Sequence, residues 1–183
     1  MKYLLYCLTL IPLIWILPDI NSQIDPYDYL LSQTGRWMMI WLILLLTLGP
    51  LMRSYKIRTA WAKQPLGLSV TTWSILHVLS YFSLHAEPLD RAIIEILIRP
   101  FLVLGLIAFV IILILGLTSN QLAIRKLRKR WTVLHKLALW AGAIGAAHGL
   151  VAQKVATNEF GFYSLLILLL LLWRGISTWN KSI

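Results

Sequence analysis

The sequence predicts an all-α integral membrane protein with six transmembrane helices, folded as one domain with both termini in the cytoplasm. Hydrophobic residues make up 59% of its 183 residues and charged residues only 13%. This composition excludes a disordered chain, and it excludes a soluble nucleic-acid-binding domain in spite of the net charge of +10. Six apolar segments approach the ~17–25 residues that cross a bilayer as a helix.

The connections between the predicted spans are too short for a soluble catalytic domain. The spans are Leu4–Ile20, Trp37–Met52, Leu66–Leu84, Pro100–Thr118, Val133–Ala152 and Phe160–Trp173. The first resembles a signal peptide but lacks a small-residue cleavage site after Leu17, so we expect a retained helix. Asn21–Arg36 and Ala86–Arg99 are expected to be outer loops with short interfacial helices.

The charges between the spans alternate by side, which orients the chain. Segments 1–2, 53–63, 125–136 and 174–183 hold 13 of the 17 Lys and Arg residues and no acid. The alternate segments hold the other 4 cations and all 7 acids, a net charge of 4 − 7 = −3. The positive-inside rule places the first set in the cytoplasm.

Ionisable residues inside a membrane are costly enough to indicate function, and in this sequence the histidines are the candidates. His77 lies inside the third span, and His135 and His148 lie near opposite ends of the fifth, ~19.5 Å apart at 1.5 Å per residue. Counted from the basic edges, His77 and His148 reach the same depth and could bind one heme iron from facing helices. His135 would serve an inner station, where Lys63 and Gln64 lie at the matching depth of the third span.

Other interpretations of these histidines stay open. Hydrogen bonds to a neighbouring helix would account for His77 and His148, and an interfacial position would account for His135. His85 lies at the outer surface. An ideal helix sets His135 and His148 about 140° apart, and the glycine-rich run Ala141–Gly149 would permit a bend between them.

Cations near the membrane surfaces are candidates for pairing with heme propionates. Arg36 and Arg99 are expected outside, and Arg53, Lys63 and Arg130 inside, although most interfacial cations bind no cofactor. The sequence contains no CxxCH motif for covalent heme attachment and no GxGxxG motif for a dinucleotide. We therefore expect an electron carrier rather than a catalytic subunit.

Six short stretches occur in order and at regular spacing between Thr34 and His148. They are Thr34-Gly35-Arg36, Leu48–Arg53, Leu76–Tyr81, Ile98–Gly105, Leu117–Asn120 and Lys129–His135. Together they resemble the ferric-reductase-like transmembrane family, and within it the heme-binding membrane subunits of bacterial methionine sulfoxide reductase systems. The resemblance implies a heme-binding helical core at about residues 34–152.

The resemblance also implies a function. It implies a b-type cytochrome of the bacterial inner membrane, with one or two hemes b and with FMN as a second cofactor. Electrons would come from the quinone pool or a cytoplasmic flavin reductase and pass to a periplasmic molybdenum-cofactor methionine sulfoxide reductase, which repairs oxidised proteins. His77, His135 and His148 fall on the family's positions for ligands of the heme iron. Larger ferric reductases carry two histidines on each of two helices, and the fourth of these ligand positions has no histidine here.

Two hypotheses from other classes compete with this one. In the first, the chain is a small proton-coupled transporter with His77 and His148 as a proton relay. In the second, it is a structural anchor for a partner and would tolerate the loss of its histidines.

Overall fold

The computed structural model describes residues 2–55, 60–84, 89–152 and 158–179, and in these residues it contains α-helices and two 3₁₀ turns but no strand. The helices are α1 (Lys2–Leu8), α2 (Pro12–Asp19), α3 (Pro26–Ser54), α4 (Lys63–Leu84), α5 (Leu89–Ile98), α6 (Pro100–Leu117), α7 (Gln121–Leu127), α8 (Lys129–His135), α9 (Leu137–Val151) and α10 (Asn158–Trp179). The all-α prediction is confirmed for the described residues.

The first predicted span is divided into α1 and α2. Pro12 lacks the N–H that would continue the helix, and the N–H of Leu13 bonds to Leu10 instead of Thr9. The fully buried Trp73 donates its indole N–H to the freed Thr9 carbonyl at 3.0 Å. A side chain of α4 thus satisfies the backbone group that the interruption leaves unpaired.

Helix α3, which contains the second predicted span Trp37–Met52, begins well before that span. Asp25 accepts hydrogen bonds from the backbone N–H groups of Tyr27 and Asp28, and Pro26 occupies the first helical turn. These are standard features of a helix N-terminus. The prediction of an outer loop over Asn21–Arg36 is therefore wrong from Pro26 onward, because this cap lets α3 run without a break through the polar residues that follow it.

Two antiparallel helix pairs form the centre of the bundle. In the α3–α4 pair, Thr34 contacts His77 and Trp37 contacts Trp73, which shows that the two helices run in opposite directions. The α6–α9 pair is antiparallel in the same way, and α10 packs against α9 and α3. The buried residues that join the pairs are Met39, Leu42, Leu46, Val70, Ile112, Ala141, Ala146 and Ile167.

The fifth predicted span is also divided, at a position outside its glycine-rich run. Helix α9 is continuous through the run Ala141–Gly149, and the interruption lies before it, at Lys136. There the backbone N–H bonds to Val133, three residues back, which tightens the turn between α8 and α9. The glycine run would permit a bend, but the break in the helix lies outside it.

The described helices include three that are long and apolar enough to cross a membrane, within Tyr3–Ser22, Pro26–Met52 and Pro100–Leu117. A shorter apolar helix covers Glu159–Trp173. Helix α5 lies in the expected outer connection and is amphipathic, with Ala92 buried and one apolar face exposed. The chain is a membrane protein, and the number of six spans stays a prediction.

Candidate functional site

The structure brings together the two histidines that the depth argument paired. The imidazole rings of His77 on α4 and His148 on α9 have centroids 6.5 Å apart, and their planes differ by 77°. His77 belongs to the α3–α4 pair and His148 to the α6–α9 pair, so the two rings meet where the helix pairs pack together.

His77 rests against helix α3. Its Nδ1 lies 3.1 Å from the carbonyl oxygen of Leu31 and 3.3 Å from the hydroxyl of Thr34, which is itself buried. A Cβ added to Gly35 would lie 3.1 Å from the ring carbon Cε1 and 3.2 Å from Nδ1. The glycine therefore lets the ring lie directly on the α3 backbone.

His148 rests against helix α6 in a matching way. Its Nδ1 lies 2.7 Å from the carbonyl oxygen of Phe101, whose ring also stacks on it with centroids 6.2 Å apart. A Cβ added to Gly105 would lie 2.9 Å from Cε1 of the ring. Each histidine thus contacts a carbonyl at position i and a glycine at i+4 of the neighbouring helix, an arrangement that we call a ring seat.

The hydrogen bonds determine which ring nitrogen is free. A backbone carbonyl can only accept, so Nδ1 carries the proton in both rings and Nε2 keeps its lone pair in the neutral imidazole. A metal-bound histidine commonly has this arrangement, with the second nitrogen bonded to a carbonyl. Two imidazoles on opposite sides of one iron, each at a bond length of about 2 Å, would have centroids roughly 6 Å apart, close to the observed separation.

The space beside the two rings also suits a flat cofactor. Gly145 is buried one turn before His148 on α9, yet a Cβ added to it would have no neighbour within 4 Å in the part of the chain that the structure describes. A buried backbone next to unfilled space is what the edge of a bound macrocycle would need. The donor set and this opening therefore fit a heme between His77 and His148.

His135 lies apart from this pair, at the other end of α6. Its Nε2 is 3.2 Å from the Thr118 hydroxyl, and Trp131 stacks on its ring with centroids 4.0 Å apart. Gln64 reaches the same level, where its amide donates to the Ser119 carbonyl at 2.9 Å. His135 and Gln64 thus contact two consecutive residues, Thr118 and Ser119, in the connection that follows α6. The exposed Lys63, the first residue of α4, precedes Gln64.

The two predicted outer arginines both form ion pairs. Arg36 lies 2.7 Å from Glu159 of α10, and its Nε is buried without a hydrogen-bond partner among the described residues. Arg99 lies 2.8 Å from Glu95, which also accepts from the Tyr81 hydroxyl. The other predicted candidates are less informative: Arg130 is an exposed residue of α8, whereas the Arg53 side chain and His85 lie outside the described residues.

Sequence reasoning did not find the residues that contact the histidines on their outer sides. The glycines of both ring seats lie in stretches that carried the family resemblance, Thr34-Gly35-Arg36 and Ile98–Gly105, but neither received a role. Leu31 and Phe101 each offer a backbone carbonyl, which every residue type has, and only Phe101 also contacts a histidine through its side chain. The one usable signal is the pair of helix-interior glycines.

Comparison with known proteins identifies the family. Residues 34–146 match the family described as the ferric reductase like transmembrane component. A protein-methionine-sulfoxide reductase heme-binding subunit MsrQ from Salmonella arizonae is 33% identical, over 99% of this chain and 95% of its own length. An MsrQ subunit from an Enterobacter species is 34% identical, over 95% of this chain and 90% of its own length. The chain belongs to the ferric-reductase-like transmembrane family, in its MsrQ branch.

The family match includes both ring-seat glycines, His77 and His135, and it ends two residues before His148. The similarity to the MsrQ subunits continues across nearly the whole chain, so His148 and α10 are within the related region. The resemblance predicted from six short stretches is thereby confirmed. No solved structure matches the chain significantly.

Proposed function

We propose that this member of the MsrQ branch is a b-type cytochrome of the bacterial inner membrane that spans it several times and carries electrons across it. The observation that supports this most directly is the pair of facing histidines, His77 and His148, each with Nδ1 bonded to a carbonyl and Nε2 free. A heme between them would supply a one-electron iron couple.

The residues of the chain would tune that couple in three ways. The carbonyls of Leu31 and Phe101 raise the basicity of the two imidazoles by accepting their Nδ1 protons. The apolar side chains of the bundle would keep water away from a bound heme. The buried Nε of Arg36, which has no partner among the described residues, is available to a propionate at the outer edge of the macrocycle.

The direction of electron flow and its partners are part of the proposal. Electrons would enter from the quinone pool or a cytoplasmic flavin reductase and leave to a periplasmic molybdenum-containing methionine sulfoxide reductase. The relatives are heme-binding subunits of a methionine sulfoxide reductase, which supports the acceptor, and the resemblance alone supports the donors and FMN. A second, inner heme would use His135, which Thr118 and Trp131 already orient.

Heme quantification tests the core of the proposal. Purified full-length protein should show a Soret band that shifts on dithionite reduction, and pyridine extraction should yield heme. Folded protein without any heme would refute the proposed function. The competing transporter hypothesis would gain support if such heme-free protein moved a substrate in proteoliposomes.

Single substitutions test the ligands. His77→Ala and His148→Ala should each remove the heme between the two rings, and added imidazole should restore part of the Soret band by replacing the missing ligand. Leu150→Ala is a matched control on α9, since its side chain is exposed two residues beyond His148. Full heme content in His148→Ala would refute the ligand assignment while leaving the cytochrome proposal intact.

Coupling to the acceptor needs its own measurement. Reduced protein in membranes should be reoxidised when the periplasmic catalytic subunit and a methionine sulfoxide are both present, and not with either alone. Reoxidation that is independent of the catalytic subunit would contradict the proposed partner.

A further inference from the structure

The two ring seats share a detailed geometry although they lie on different helices. The ring of His77 contacts the carbonyl of Leu31 and lies against Gly35, four residues later on α3. His148 contacts the carbonyl of Phe101 and Gly105, four residues later on α6. The same spacing therefore recurs in both antiparallel pairs.

The helix explains why a glycine belongs at the second position. In an α-helix the carbonyl of residue i points toward residue i+4, whose N–H it accepts, and it keeps a second lone pair. A side chain at i+4 would cover that lone pair from the outside. Glycine leaves it open, so an imidazole lying on the glycine can reach the oxygen with its Nδ1–H.

Ordinary helix packing does not describe these two glycines. The three atoms nearest to an added Cβ at Gly105 all belong to the His148 ring, at 2.9–3.3 Å. At Gly35 the two nearest atoms belong to His77, and the third belongs to Phe160. In contrast, an added Cβ at Gly67 of α4 would meet nothing within 4 Å.

We propose that Gly35 and Gly105 are positioning residues that fix the rotation of the two histidine rings, so that their Nε2 atoms are presented to one iron with ring planes close to perpendicular. The proposal rests on the proposed function, because it concerns the axial ligands of the heme. It assigns the orientation of both rings to a carbonyl and a glycine of the neighbouring helix, alongside the contacts that the Thr34 hydroxyl and the Phe101 ring make.

The ring planes provide a direct readout. Two axial imidazoles with nearly perpendicular planes leave two iron d orbitals close in energy, and the low-spin ferric signal in electron paramagnetic resonance is then strongly anisotropic, with a large low-field g value. A seat that no longer fixes its ring allows the angle to depart from the 77° of the wild type. The low-field g value should then shift toward that of ligands with parallel planes.

The substitutions are Gly35→Ala and Gly105→Ala, with Gly67→Ala as the matched control. Alanine at 105 requires the ring to move, since its Cβ would lie 2.9 Å from His148, while alanine at 35 requires a smaller adjustment at 3.1 Å. We expect Gly67→Ala to keep the wild-type spectrum, and both seat variants to lower the low-field g value, Gly105→Ala by the larger shift. If Gly105→Ala loses its heme or fails to fold, Gly35→Ala still provides the measurement.

The outcomes separate this proposal from the one on which it rests. Wild-type protein without heme would overturn the proposed function. Heme-loaded seat variants whose g values equal those of Gly67→Ala would overturn the positioning role alone. Lower yield of the seat variants, with an unchanged g value in the loaded fraction, would also overturn it, because a purely structural glycine behaves in that way.

Discussion

The two charges of the Arg36–Glu159 ion pair should shift the midpoint potential of the proposed heme in opposite directions. A cation favours the reduced iron, which carries one more electron, and an anion favours the oxidised iron. Arg36→Gln should therefore lower the midpoint potential and Glu159→Gln should raise it. Because the two groups are 2.7 Å apart, their effects largely cancel in the wild type, and the double variant should return close to its potential.

The size of the shift follows from the position of the pair. Arg36 directly follows the glycine that contacts His77, so we take a separation of about 10 Å between its charge and an iron bound by His77, roughly one Cα–Cα step plus the length of the arginine side chain. At an effective dielectric constant of 20, a unit charge at that distance contributes about 1.7 kcal/mol, or about 70 mV for a one-electron couple. The side chains of Arg36 and Glu159 are 33% and 55% exposed, which screens the effect to about 20–40 mV.

Spectroelectrochemical titration of the purified protein measures this shift. Arg125→Gln is the control, since it removes the same charge from an exposed residue of the basic α7 segment, far from the His77 seat. Raising the ionic strength from 0.01 to 1 M should reduce the shifts, because the Debye length falls from about 30 to 3 Å. Shifts of equal sign in Arg36→Gln and Glu159→Gln, or a shift in Arg125→Gln as large as either, would refute the electrostatic reasoning.

Two further predictions concern other parts of the bundle. Gly116→Ala should destabilise the protein by about 1–3 kcal/mol in denaturation, because its Cβ would lie 2.5 Å from Oγ1 of Thr71, and the Thr71→Ala background should remove most of that cost. Equal costs in both backgrounds would contradict the contact. His135→Ala should leave the His77–His148 heme in place, and heme per chain should fall only if an inner heme exists. Loss of all heme from this variant would contradict the separation of the two sites.

The sequence predicted the proximity of His77 and His148 better than the form of the helices that carry them. Depth, counted from the basic edges, was enough to pair His77 with His148, because residue spacing along a helix translates directly into height. The divisions at Thr9 and Lys136 were not predicted, since each depends on a contact or turn that apolar composition does not encode. The early start of α3 was readable from Asp25-Pro26, but the polar residues after it suggested a loop.

The ring seats could not be predicted because they depend on the register between helices. Nothing in the local sequence says that Gly35 meets His77 rather than a residue one turn away. The register follows from larger contacts in the same pair, such as that between Trp37 and the fully buried Trp73. Helix-interior glycines indicate a close approach, and only the tertiary structure shows what approaches.

The division of the bundle into two pairs separates two requirements of the proposed heme site. Each ring seat is contained within one pair, so the orientation of His77 depends on α3 and that of His148 depends on α6. The distance between the rings depends instead on how the pairs pack together, through the buried cluster and through α10, which contacts both α9 and α3. Substitutions in a seat should therefore rotate a ligand, whereas substitutions at the interface, such as those of Leu46 against Gly142, should change the ligand separation. A heme held by both histidines would need both conditions at once.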